Sequence, residues 1–115
     1  AATILFDLPN RPDGIFVVND TAAVGVIQIA KKRGLKIPHD IAIIGFNDDP
    51  IASIIDPGLT TISHPAVKMG QTAARKILSH IKTGKKSDEV LKKDSITEVT
   101  FLNTQVLVRA SSKRK

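Results

Sequence analysis

Two apolar runs in this chain end abruptly in polar ones. Ile15-Phe-Val-Val18 stops at Asn19-Asp20, and Ile41-Ala-Ile-Ile-Gly-Phe46 stops at Asn47-Asp48-Asp49-Pro50. An amide both donates and accepts hydrogen bonds, and a carboxylate accepts them, so these tips suit the holding of a small polar molecule. Covalent chemistry has no such foothold. Without cysteine there is no thiolate nucleophile and no Cys-based zinc site,. Neither a Gly-x-Gly-x-x-Gly run, a P-loop nor a nucleophile elbow is present, and no Ser, His and Asp set is argued for by spacing,. The three histidines (His39, His64 and His80) lie at no metal-binding spacing,. No metal, cofactor or enzymatic reaction is therefore expected.

The elements that must carry the tips follow from pattern. Ile15 to Val18 and Ile41 to Gly45 are short runs of strand-forming residues,. Between them, Val24, Ile27, Ile29 and Ala30 fall at helical spacing from Thr21 to Arg33, with Asp20 or Thr21 as the N-cap and Gly34 as the stop,. A strand-helix-strand unit of about thirty residues results, and its two strands should be parallel neighbours. Both polar tips then lie beyond strand carboxyl ends, where open parallel sheets bind ligands. Ile51 to Ile55 suits a short helix capped by Asp49 with Pro50 at its first position,. Leu59 to Ile62 reads as a third strand leading into Ser63-His64-Pro65,. Val67, Met69, Ala73, Ile77, Leu78 and Ile81 mark an amphipathic helix that Gly84 closes,. Thr3 to Leu8 reads as the end of a further helix. Residues 85–94 form a charged loop, 96–108 one or two terminal strands, and 111–115 a disordered tail,.

Composition bounds the rest. A chain of 115 residues fits one domain or a piece of one, and its core must be aliphatic, since it has four Phe and no Trp or Tyr,. Stacking on nucleic-acid bases is disfavoured for the same reason. The net charge of +6 is split unevenly, with residues 1–65 at −2 and residues 66–115 at +8. Solvated lysines on one helix and a basic end explain this better than a nucleic-acid footprint. No stretch approaches a membrane span, and the absence of cysteine fits a reducing cytoplasm,. The start lacks an initiator Met, so the chain is expected to be part of something longer.

The stretches Pro12 to Asp20, Ala22 to Val26, Gly34 to Asp49 and Pro57 to Ile62, with Pro65, Met69-Gly70 and Ala73-Ala74, resemble the ligand-sensing core of the lactose-repressor (LacI/GalR) family of bacterial transcription regulators. They stand in family order from about Arg11 to Leu107. The resemblance implies an α/β class, with a parallel sheet flanked by helices in a partial periplasmic-binding-protein-like (type I) fold. On that basis residues 1–115 are the carboxy-terminal part of an effector-binding and dimerisation domain. The helix from Pro65 to Lys82 would pack on an amino-terminal subdomain. DNA would be reached only through an amino-terminal domain that has no counterpart here. The effector would be a small molecule, a sugar or sugar derivative, and the alternative function is a solute-binding protein for transport.

Site residues follow residue by residue. The resemblance implies effector contacts at Asn19, Asp20, Asn47, Asp48 and His64, against turn structure or helix capping as the competing roles. Asn47 stands where the family commonly has an aspartate, which removes a charge-assisted bond and leaves Asp48 to take part of that role. The resemblance likewise implies a homodimer interface at Val24, Ile27, Ile51, Ile54 and Ile55, where the competing role is intramolecular core.

Overall fold

A computed structural model describes residues 1–82 and 99–114. Its elements in chain order are α1 (Ala2–Phe6), β1 (Gly14–Phe16), α2 (Asp20–Lys32), β2 (Ala42–Phe46), α3 (Ile51–Ile54), β3 (Thr60–Ser63), α4 (Ala66–Lys82) and β4 (Gln105–Leu107). Every expected element within the described residues is present, with boundaries moved by one or two positions except at the terminal strand, which is confined to Gln105–Leu107 while residues 99–104 carry none. The Gly84 stop, the charged stretch 85–94, the Ile96 start of the terminal strands, Lys115 and the His80 side chain lie outside the described residues.

Two units partition the chain, residues 1–64 with 104–115, and residues 65–103. The first contains a four-stranded sheet in the order β1-β2-β3-β4. β1, β2 and β3 run parallel, in the registers Ile15 to Ile43 and Gly45 to Thr61. β4 is antiparallel to β3, with Thr61 opposite Leu107. Side chains alternate across a strand, so the registers put Ile15, Ile43, Gly45 and Thr61 on one face. That face is covered: Ile41, Ile43 and Leu59 pack with Ala23, Ile27 and Ala30 of α2, Ala52 of α3 and Phe6 of α1. Phe16, Ile44, Phe46, Ile62 and Val106 share the opposite face, where Phe16 is 58% exposed and Val106 56%.

Ile27 is fully buried in this core. It is therefore intramolecular core rather than the dimer contact expected of it, because three buried positions of α2 at helical spacing (Ala23, Ile27, Ala30) turn it onto the sheet,.

The carboxy-terminal end also departs from expectation over residues 111–114. Ser111 is fully buried and sits between the starts of β2 and β3. Its hydroxyl donates to the Ile43 carbonyl (2.6 Å) and accepts from the Thr60 N–H (2.8 Å), and its carbonyl accepts from the Ile43 N–H (2.9 Å). Arg114 follows, donating through Nη1 to Asp13 (3.0 Å) and through Nε to the Pro38 carbonyl (3.1 Å). A run of Ser, Lys and Arg reads as a solvated tail because it has no apolar anchor. Here its polar atoms complete backbone groups at strand ends, which must be satisfied once buried.

The second unit contains α4. Its apolar residues Val67, Ile77, Leu78 and Ile81 are all more than half exposed. Within the unit, Lys76 donates to the Thr100 hydroxyl at 2.7 Å.

Candidate functional site

Three adjacent parallel strands deliver Asn19, Asn47 and His64 just past their carboxyl ends. Asn47 follows β2 directly, His64 follows β3 directly, and Asn19 stands three residues beyond β1. Asn19 and Asn47 were located by the polar ends of two apolar runs, and His64 by the resemblance.

Asn19 caps α2. Its Oδ1 accepts from the Ala22 N–H at 2.8 Å, with its backbone extended in the manner of an N-cap,. The cap is thus one residue earlier than expected. Capping engages only the amide oxygen, and the NH2 group of Asn19 keeps its two donors.

Asp20 does something else. It is fully buried, its Oδ1 accepts from the Thr61 hydroxyl (2.7 Å), and its Oδ2 accepts from the Asp49 N–H (2.7 Å). With both oxygens occupied and no exposed surface, it is an internal tie between α2, β3 and the loop after β2, not the effector contact expected of it. Gly45 makes room for it. A Cβ on Gly45 would lie 2.1 Å from Asp20 Oδ1 and 3.1 Å from Leu59 Cδ2.

The loop itself turns back sharply. Asn47 has φ 111° and Asp48 φ 59°, both in the left-handed region that few residues other than Gly and Asn adopt at low cost,. Three amides are held there: Asn47 N–H on the Ile62 carbonyl (3.0 Å), Asp48 N–H on the Thr61 hydroxyl (3.3 Å) and Asp49 N–H on Asp20. Asp49, expected to cap α3, contributes no side-chain cap, and Pro50 occupies the N-cap position. The Asp48 side chain is 30% exposed and accepts from Arg109 Nη2 at 3.0 Å. The Asn47 side chain makes no hydrogen bond among the described residues.

His64 lies flat on Phe46, with ring centroids 5.5 Å apart and planes 10° from parallel. Its Nδ1 is buried without a hydrogen-bond partner among the described residues. Phe46 in turn meets Phe16 edge-on at 6.5 Å. The result is an aromatic strip along one sheet face, ending at the polar tips.

Val24 and Ile55 are half-buried, and Ile55 packs partly on the core. Ile51 and Ile54 are 37% and 75% exposed. A separate depression of about 370 Å³ beside α1 and the end of α2 is lined by Phe6, Asp7, Arg11, Arg33 and Leu35, and contains none of the expected site residues. Among the described residues no three His, Asp or Glu side chains gather to hold a metal ion.

Arg109, Thr61, Phe46 and Gly45 were not singled out by sequence reasoning. Only Gly45 carried a signal, as a glycine interrupting a strand next to a polar loop,.

The family model for the periplasmic binding protein-like domain matches residues 2–112. The chain belongs to this family. Relatives within it include the probable HTH-type transcriptional repressor ExuR of Bacillus subtilis, 36% identical over 110 residues, covering 96% of this chain and 30% of that protein. The HTH-type transcriptional repressor CytR of Escherichia coli is 39% identical over 77 residues, covering 67% of this chain and 23% of the repressor. Among solved structures, a LacI family transcriptional regulator from Lactobacillus casei with bound glucose is 30% identical over 96% of this chain and 37% of that one, with a TM-score of 0.71. The resemblance to the lactose-repressor branch, and the α/β fold it implied, therefore hold. The chain spans about a third or less of the relatives it matches in this family.

Proposed function

We propose that this chain is the effector-sensing part of a cytoplasmic LacI-family transcription regulator, with a sugar or sugar derivative as effector. The observation that supports this best is the convergence of Asn19, Asn47 and His64 beyond three adjacent parallel strands, with the Asn47 amide unengaged among the described residues. Such an array offers donors and acceptors to hydroxyl groups, and the Phe16 and Phe46 rings offer an apolar surface to the C–H face of a sugar ring,. Bound glucose in the Lactobacillus casei relative supports the ligand class. Because Asn47 is neutral, the ligand is held without a carboxylate at that position.

The effector acts by preferring one closure of the sensor over another, and it can shift that equilibrium only by its differential affinity. The protein works as a homodimer through Val24, Ile51, Ile54 and Ile55, and it reaches DNA through an amino-terminal domain. The named relatives are repressors, which favours this reading over solute transport and over an enzyme. No helix among the described residues is long and apolar enough to cross a membrane.

Calorimetric titration of the full-length gene product with a panel of sugars and nucleosides, paired with operator-binding assays, tests the proposal. Binding of one ligand that also changes operator affinity is expected. The absence of both binding and any change in operator affinity would refute it.

A further inference from the structure

We propose that Arg109 is a positioning residue of the effector loop: anchored to β3, it holds Asp48 and thereby sets the direction of the Asn47 side chain. This rests on the effector reading only in what it says about ligand affinity.

Two consecutive residues with positive φ, neither of them glycine, persist only where their surroundings over-determine them,. From the α2 side, Asp20 supplies that constraint by taking the Asp49 N–H and the Thr61 hydroxyl. These bonds grip residues after the turn. Asp48, inside it, has its N–H at a long 3.3 Å from Thr61. Its side chain is fixed by Arg109 alone among the described residues.

Arg109 is itself immobilised. Its backbone N–H donates to the Thr60 hydroxyl (2.8 Å), and its Nη1 donates to the Leu59 carbonyl (2.9 Å). Two residues on, Ser111 is buried between β2 and β3. The guanidinium therefore bridges a strand carbonyl and the loop carboxylate, with one nitrogen for each. An exposed ion pair between two free side chains would contribute little. Here both groups are about three-quarters buried and one is already fixed, so little further ordering is needed. A lysine, with a compact ammonium and no fork, cannot reproduce both contacts in this geometry.

The test uses the full-length gene product and compares Arg109→Gln, Arg109→Lys, Asp48→Asn and the Asp48→Asn/Arg109→Gln double variant. Amide hydrogen exchange is read at Asp48 and Asp49 and, as reference, at Ile43 and Ala30. Arg109→Gln and Asp48→Asn are each expected to speed exchange at the two loop amides about tenfold, with the reference amides unchanged. The double variant should add nothing further, since both changes remove the same interaction, and Arg109→Lys should fall between wild type and Arg109→Gln. Loop amides that stay as in wild type would overturn the proposal. So would an equal speeding at Ile43 and Ala30, which would mean that Arg109 serves stability alone.

Titration with glucose, sucrose and lactose extends the test. For a sugar that binds the wild type, Arg109→Gln should weaken affinity about tenfold and Arg109→Lys less. Unaltered affinity would overturn the link from Asp48 to Asn47. Should none of these sugars bind the wild type, their assignment as effectors fails, while the exchange experiment still decides whether Arg109 holds the loop.

Discussion

At the scale of single residues, Asp20 shows how a carboxylate can serve a site without touching a ligand. Its two oxygens join the start of α2 to β3 and to the loop after β2. Replacing it by alanine strands a hydroxyl and an amide in a buried setting, each of which costs about 1–3 kcal/mol. Asp20→Ala is therefore expected to lower unfolding free energy by about 3 kcal/mol in denaturant titration. Gly45→Ala should approach this from the opposite side, since its methyl would occupy the carboxylate's space, at about 2 kcal/mol,. Asn19 differs from both. Its side chain caps one end of one helix, so Asn19→Ala should cost about 1 kcal/mol in the same measurement,.

Elements are tied together by a different kind of contact. Asp7, after α1, accepts a forked pair of bonds from Arg33 at the end of α2, the second at 3.1 Å. The hydrogen bonding from Arg33, aided by its charge and opposed by desolvation, holds the Asp7 carboxyl below its ordinary range. A carboxyl lowered on folding stabilises the fold fully above the unfolded range and loses that contribution as pH falls through the lowered value. The melting temperature of Asp7→Asn should accordingly lie below wild type at neutral pH and converge with it in strong acid, which thermal denaturation at both extremes will show. α2 and α3 invite a second comparison. Ile27→Ala should cost about 3 kcal/mol by opening a cavity in the core without altering oligomeric mass,. Ile54→Asp, at a position 75% exposed, should leave stability near wild type and, on the proposed homodimer, yield a monomer of the full-length gene product in light scattering,. A dimer that survives this change would move the interface elsewhere.

On the scale of the whole molecule, the covered and uncovered faces of the sheet are the main fact. Sheets made largely of parallel strands are found with both faces covered. In the described residues one face is packed by α1, α2 and α3, while Phe16 and Val106 stand open on the other and Val67, Ile77, Leu78 and Ile81 stand open on α4. Exposed apolar residues on each unit favour association,. The isolated 115-residue chain is expected to bind a hydrophobic dye strongly and to elute above its monomer mass. Weak dye binding by the isolated chain would show that it covers these faces itself.

The sequence by itself determined which elements form, their order, and the two polar tips that end parallel strands. These are local matters: β-branched runs, helical spacing, capping residues and glycine stops act within a few residues, and the strand-helix-strand unit makes its strands parallel neighbours. Tertiary structure alone decided how the polar residues are used. Asn19 and Asp20 are adjacent and chemically similar, yet one caps a helix facing the site and the other is buried against Thr61, because the first turn of α2 aims them differently. Ile27 and Ile54 are the same residue type in neighbouring helices, and only their packing makes one core and leaves the other open. Ser111 reads as the start of a disordered tail, and Arg109 carries no signal in the sequence. Their partners, Asp48, Thr60 and Ile43, lie 49 to 68 residues away in the chain, a separation at which no local pattern could reveal the contacts that hold the loop after β2.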